Sequence, residues 1–432
     1  MTICPDDAYN IVGNLLNSSA FNVTGVDINL DKFQEDLVSP ICIVRLHFIA
    51  VHCPDLRLKA FQLALDESVK HHNTTAYLAL HDDIVKLKLE DDLPKCNKQW
   101  VDDTKLHIAE KLAGLEVDLQ LAKYSYNEGT SSIENVKRYL NEIADSHLSG
   151  SNFSEALRTY LKMRDYYCTG ENQDQLICMH VSLASIFAGD WSNASIYAKK
   201  GLKQNVDSSN PDKQELYMRV VCCAAMADLG LSKYKNAAEY FSKINIDQFS
   251  FNQLLTPSHI CLYGGICALA TFTRQELKAL YYNSQFRQFL ELHPLISEAI
   301  TSYLDSRYCN MFNCLKKLKG YLLIDIFVSG HVSKLYSLIR KKVFFQFFYP
   351  YKSVSLQKMS DTFNKDYNEL EHELIQLINE EDINVKIDHD KRMIYNLNLE
   401  CRWKTYDDAV KIFENFEISK QMIALQNTIR DI

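Results

Sequence analysis

The side chains best equipped for chemistry here are thirteen histidines, thirteen cysteines and one Gly-Gly pair, and their spacing decides what they can do. A zinc hydrolase that keeps one metal position open for water needs a His-x-His or His-Glu-x-x-His pair, with carboxylates elsewhere in the chain. Neither pair occurs. His71 and His72 are adjacent, and His47 and His52 stand five apart on one helical stretch. The cysteines form no Cys-x-x-Cys pair. Cys222 and Cys223 are neighbours, and Cys309 and Cys314 have no accompanying histidine pattern. Their apolar surroundings predict buried thiols that pack as small hydrophobes. Gly264-Gly265 fits neither Gly-x-x-x-x-Gly-Lys nor Gly-x-Gly-x-x-Gly. Inside a helical pattern a glycine costs about 1 kcal/mol relative to alanine, so the expected return is close helix packing rather than phosphate contact. The expectation is a chain with no catalytic residue, no metal and no cofactor.

Composition points the same way. Hydrophobic residues make up 47% of the 432, while only 13 are glycine and 8 proline, which favours helices over turn-rich sheets. The net charge of −8 opposes attraction to phosphate backbones and anionic membranes. The longest basic cluster is Arg340-Lys341-Lys342. Asp6 and Asp7 occupy the place of a basic leader, and Arg45 and His47 interrupt the apolar run Ile41–Val51, which is too short to span a bilayer. The reading is a soluble intracellular chain, with no membrane and no nucleic-acid partner.

These residues sit on a series of helices. Residues 1–100 read as short helices, with Leu58, Phe61, Leu65 and Val69 at helical spacing after Pro54, and Asp91-Asp92-Leu93-Pro94 as a linker. Leu112, Leu115, Leu119, Ala122 and Tyr126 then form one apolar stripe. A weak repeat follows within residues 101–255. Aromatic residues recur at Phe153, Trp191 and Tyr234, with Ala156, Ala194 and Ala237 three further on and Leu148, Ile186 and Leu229 five before. This is helix-turn-helix logic, tetratricopeptide-like but slightly long in period, and such units must stack into a solenoid. Helices continue to residue 350 and close on Val343–Tyr349, an aromatic run expected to be core.

Residues 351–400 change character. Val354–Phe363 and Tyr367–Asn379 read as two helices. Val385, Ile387 and Ile394 then alternate with polar residues around the turn His389-Asp390-Lys391-Arg392. Helix, helix and two-stranded wing make a winged helix. Residues 366–382 hold seven carboxylates and no Lys or Arg, which disqualifies the second helix from reading DNA. The tail, 401–432, carries Ile418, Met422, Leu425, Ile429 and Ile432 at heptad spacing, a seam that wants a partner helix.

This order of elements resembles the PCI-domain family shared by the proteasome lid, the COP-nine signalosome and a translation-initiation factor, with residues 256–400 as the PCI domain (helical part 256–350). Tyr263-Gly264-Gly265 through Phe272, followed by Arg274-Gln275-Glu276-Leu277, is similar to the signature of the signalosome subunit one family. Arg45–Pro54, Phe289–Leu292, Leu322–Asp325 and His331–Arg340 are similar to it as well. The likeness runs over about residues 30–430 and is strongest over 255–350; the N-terminal arm is short, and the polar tail that often follows the last helix is missing. The resemblance implies a non-catalytic scaffold subunit of a complex that removes a ubiquitin-like modifier from cullins and so regulates cullin-RING ligases. It implies PCI subunits two and three as neighbours, and a zinc isopeptidase elsewhere in the complex. Residues expected at subunit interfaces are Val385, Ile387, Ile394, Ile418, Met422, Leu425 and Ile429. A paralogous proteasome-lid scaffold and a winged-helix nucleic-acid adaptor are the alternatives.

Overall fold

Sparse glycine and proline leave long stretches free to coil, and the described residues form nineteen helices and one three-stranded sheet. The computed structural model describes Leu30 and residues 37–430, apart from residues 90–92, 128–132, 164–172, 204–210, 247–250, 284, 364–365, 380–384, 390 and 397–400. Asp91 and Asp92 of the expected linker therefore lie outside the described residues. The chain divides into two compact units, residues 1–339 and 340–432.

The first unit opens with α1 (Ile41–His52), α2 (Arg57–Lys70) and α3 (Thr74–Lys86). α1 is apolar on almost every side and is buried on almost every side, as such a helix must be. α2 buries Phe61 and Leu65 but leaves Leu58 and Val69, the ends of the expected stripe, exposed. In α4 (Lys98–Asn127), Leu112, Leu115, Leu119 and Ala122 join one apolar cluster with Val136, Leu140 and Ile143 of α5 (Ile133–Ser149).

Three helix pairs follow: α5 with α6 (Phe153–Met163), α7 (Gln173–Phe187) with α8 (Trp191–Leu202), and α9 (Pro211–Gly230) with α10 (Tyr234–Phe241). The recurring aromatic opens the second helix of each pair. Ala156, Ala194 and Ala237 are fully buried, so small residues stand where the partners approach. Each aromatic also reaches an element further along. The Phe153 ring lies 5.4 Å from that of Phe187, at the end of α7. Trp191 covers Gly230 at the end of α9, where an added Cβ would fall 2.3 Å from its ring. Tyr234 Oη stands 3.1 Å from His331 Nδ1. The pairs therefore stack in line, each needing the next to complete its core. Their turns share one conformation. Ser151, Gly189 and Ser232 have φ of 60°, 75° and 60°. The N–H that follows each donates to a carbonyl five residues back: Asn152 to His147, Asp190 to Ser185, Lys233 to Asp228.

Six more helices lead towards the winged helix: α11 (Pro257–Thr271), α12 (Arg274–Asn283), α13 (Arg287–Leu292), α14 (Pro294–Leu304), α15 (Tyr308–Leu323) and α16 (Val332–Phe348). The aromatic run at the end of α16 splits by face. Val343, Phe344 and Phe348 are buried, whereas Phe345 and Tyr349 are exposed, so only part of the run is core.

The second unit contains β1 (Ser353–Ser355), α17 (Leu356–Phe363), α18 (Tyr367–Asn379), β2 (Val385–Asp388), β3 (Met393–Asn396) and α19 (Cys401–Arg430). The sheet order is β1-β3-β2, antiparallel, with both Val354 and Ile387 opposite Ile394. β1 corrects the sequence reading, which placed Val354 in the first helix. A three-residue strand is too short to show a period of two. Leu356, Met359, Phe363, Leu370 and Leu374 are buried and form the apolar side of the two helices.

Candidate functional site

Tyr263, Gly264 and Gly265 lie mid-way along α11, which begins at a Thr256 cap whose side chain and that of His259 satisfy each other's backbone N–H. Both glycines are contact points. A Cβ at Gly264 would meet Phe286 Cζ at 2.8 Å and Phe241 Cβ at 2.9 Å, and one at Gly265 would meet Ile296 Cγ2 at 2.4 Å. Real Cβ atoms do not approach that closely, so α11 is fixed against α10, α14 and Phe286 by missing atoms. Arg274, the fourth signature residue, donates from Nη2 to the carbonyl of Leu304 and so holds the last turn of α14.

Tyr263 belongs to a buried polar cluster that joins three distant parts of the chain. Arg45 of α1 donates from Nη1 to Asp325 Oδ2 at 2.7 Å and from Nη2 to Tyr263 Oη at 3.1 Å. Tyr263 Oη donates in turn to the same Asp325 oxygen at 2.5 Å, and the Phe327 N–H reaches Asp325 Oδ1 at 3.0 Å. His259 Nε2 lies 3.7 Å from Asp325 Oδ2. Burial alone would raise the Asp325 carboxyl, but Arg45 and the two hydrogen bonds hold it below the usual carboxylate range. Burial pushes the Tyr263 hydroxyl well above its ordinary value, and burial together with Arg45 pushes His259 down to about 3. The tyrosine is a fixed donor, the histidine is neutral, and the one charge pair is matched. Nothing in it faces solvent, so the cluster is a clasp rather than a reactive centre. Sequence reasoning gave it no role. The available signal was Arg45 itself, since an arginine inside an apolar helix demands a counter-charge.

His47 and three of the cysteines are also structural in setting. His47 Nε2 lies 2.8 Å from Asp83 Oδ2, and Cys222, Cys223 and Cys267 are fully buried, with burial pushing the Cys223 and Cys267 thiols up to about 12. Among the described residues, no three His, Cys, Asp or Glu side chains are placed to hold a metal, and no helix is long and apolar enough to cross a membrane.

Two surfaces open to recognition lie in the second unit. Val385 and Ile394 are buried, and Ile387 is half-buried opposite Ile394. Their side chains are therefore the sheet's own core. Ile394 lies on the central strand, hydrogen-bonded on both sides, so the edges open to strand addition are those of β1 and β2. On α18, Glu373 pairs with Arg340 and Glu371 with His389, both at 2.7 Å, and Glu369 is exposed, so this helix presents carboxylates where a DNA-reading helix needs cations. α19 is one thirty-residue helix. Ile418 and Met422 are 55% and 63% exposed. Leu425 and Ile429 continue the same seam along the helix, their side chains lying outside the described residues. An earlier stripe that the heptad reading missed, Tyr406, Val410 and Phe413, is exposed about a third of a turn round the helix.

Stacked helix pairs that lead into a β1-α17-α18-β2-β3 winged helix and a terminal helix define the PCI class of proteins. Residues 315–396 match the PCI domain family, and residues 97–280 match the family described as 26S proteasome subunit RPN7. The chain is 31% identical over 403 residues to COP9 signalosome complex subunit 1 of Arabidopsis thaliana, covering 91% of this chain and 88% of that protein. It is 28% identical over 455 residues to COP9 signalosome complex subunit 1b of Drosophila melanogaster, covering 94% and 85%. To 26S proteasome non-ATPase regulatory subunit 6 of Dictyostelium discoideum it is 21% identical over 378 residues, covering 81% and 96%. The chain belongs to the COP9 signalosome complex subunit 1 family.

Proposed function

We propose that this chain is a non-catalytic architectural subunit of the signalosome, and that it supports the removal of a ubiquitin-like modifier from cullins and hence the regulation of cullin-RING ligases. The observation that carries the reading is α19, whose apolar residues Tyr406, Phe413, Ile418 and Met422 are all exposed to solvent. A helix of that kind is incomplete alone and gains roughly 1.5–3 kcal/mol per apolar side chain covered. The open edges of β1 and β2 offer a second contact, by which winged helices of sister subunits extend one sheet. PCI subunits two and three are the proposed neighbours on either side, a zinc isopeptidase subunit supplies the chemistry, and cullin-RING ligases meet the chain through the complex. Its proposed location is the cytoplasm and nucleus.

Affinity purification of the tagged full-length chain from its own cells, with identification of what accompanies it, tests this directly. Signalosome subunits are expected, together with a rise in modified cullin when the chain is depleted. Proteasome-lid subunits in their place, or deconjugating activity of the purified chain alone, would overturn it. The nucleic-acid alternative requires binding to DNA at physiological salt, which the carboxylates of α18 oppose.

A further inference from the structure

α4 has a second apolar face that the assembly reading leaves unused. Opposite its core stripe, Leu106, Ala113, Val117, Leu121 and Tyr124 follow at intervals of 7, 4, 4 and 3, which at about 100° per residue is a single line along the helix. Leu106, Val117 and Leu121 are 61%, 59% and 60% exposed. The line is about 27 Å long, five turns of helix. At its middle stands Gly114, where an added Cβ would meet nothing within 4 Å. With Ala113 beside it, this makes a notch in which another backbone can cross closely. The rim is acidic. Asp102, Asp103 and Glu110 are exposed and lie within about 55° of the line, with no Lys or Arg so near; Glu116 and Asp118 stand about 90–110° round, among Lys98, Lys105 and Lys123.

We propose that this face docks an amphipathic helix of another protein, about five turns long, whose apolar stripe is flanked by lysine or arginine. Charge selects among the possible occupants. Anionic lipid head groups would be repelled by the rim, and a second copy of this chain would set one acidic rim against another. A basic-flanked helix satisfies both the line and the rim. The surface lies in the first unit and does not depend on the winged helix or α19.

The test is a photo-crosslinking residue, benzoylphenylalanine, placed at Val117 of the full-length chain in its own cells, with the joined peptide sequenced. The expected product is one partner segment with apolar residues at helical spacing and Lys or Arg on both flanks. D102K/D103K/E110K, with unchanged helix content by circular dichroism, is expected to reduce that product about tenfold, the size of effect that 1.4 kcal/mol of rim electrostatics produces. Four results would overturn the proposal: a product joining two copies of this chain, a product that survives the charge reversal, no product above that from the same label at exposed Ile196, or phosphatidylserine-vesicle binding that Leu121→Glu abolishes.

Discussion

Arg45 and Asp325 are 280 positions apart in the chain yet share one hydrogen bond at 2.7 Å. A buried ion pair of this kind contributes little net stability over a matched apolar pair, but losing one member strands the other. Asp325→Ala is therefore expected to cost about 3–5 kcal/mol in urea denaturation. Arg45→Met/Asp325→Leu, which removes both charges, is expected to recover most of that. Equal losses in the single and double variants would mean that the charges are not coupled. His259 yields a pH prediction. Its pKa is about 3 folded, against an unfolded value near 6.5, so below 6.5 the unfolded state takes up a proton that the folded state refuses. Its contribution is full above pH 6.5 and falls as pH drops towards 3, by at most about 1.4 kcal/mol per unit. His259→Gln keeps a side chain able to cap Thr256 and is expected to flatten the stability profile between pH 6.5 and 5 by that slope. An unchanged slope would show that other histidines dominate it.

At the scale of elements, missing atoms matter as much as present ones. Gly265→Ala gains helix propensity but drives a methyl into Ile296, and a net loss of about 1–3 kcal/mol is expected in thermal or chemical unfolding. Ile296→Ala in the same chain is expected to return part of the loss, because it empties the space the methyl needs. Strict additivity of the two changes would contradict the packing account. The glycines' packing role, the repeat, α18 from Tyr367 to Asn379 and the Val385–Ile394 hairpin were all legible, because each rests on periodicity or on the cost of a residue in its place. Other features were not. β1 is too short to carry a pattern, and its arrival beside β3 turned Ile394 from an edge residue into a central one. Which residue of each turn takes the positive φ could not be read from glycine, since Ser151 and Ser232 adopt it as Gly189 does. The Tyr406–Phe413 stripe escaped because its face is set about a third of a turn away from the later seam, so that one heptad register cannot describe both.

For the whole molecule, the same physics closes most of the first unit around its own core, the outer face of α4 apart, and leaves the last helix of the second to company. The helix pairs pack their own aromatics, and Tyr263 and Asp325 clasp α1 through Arg45, whereas α19 leaves Tyr406, Phe413, Ile418 and Met422 in water. A chain ending at Arg402 loses nearly all of α19 and keeps the winged helix. The decisive measurement is co-purification of this truncated chain, beside the full-length one, with the other signalosome subunits expressed together. The account predicts a folded truncated protein, by circular dichroism and cooperative unfolding, that is absent from the complete assembly. Recovery of that protein with every partner, in the same proportion as the full chain, would contradict it.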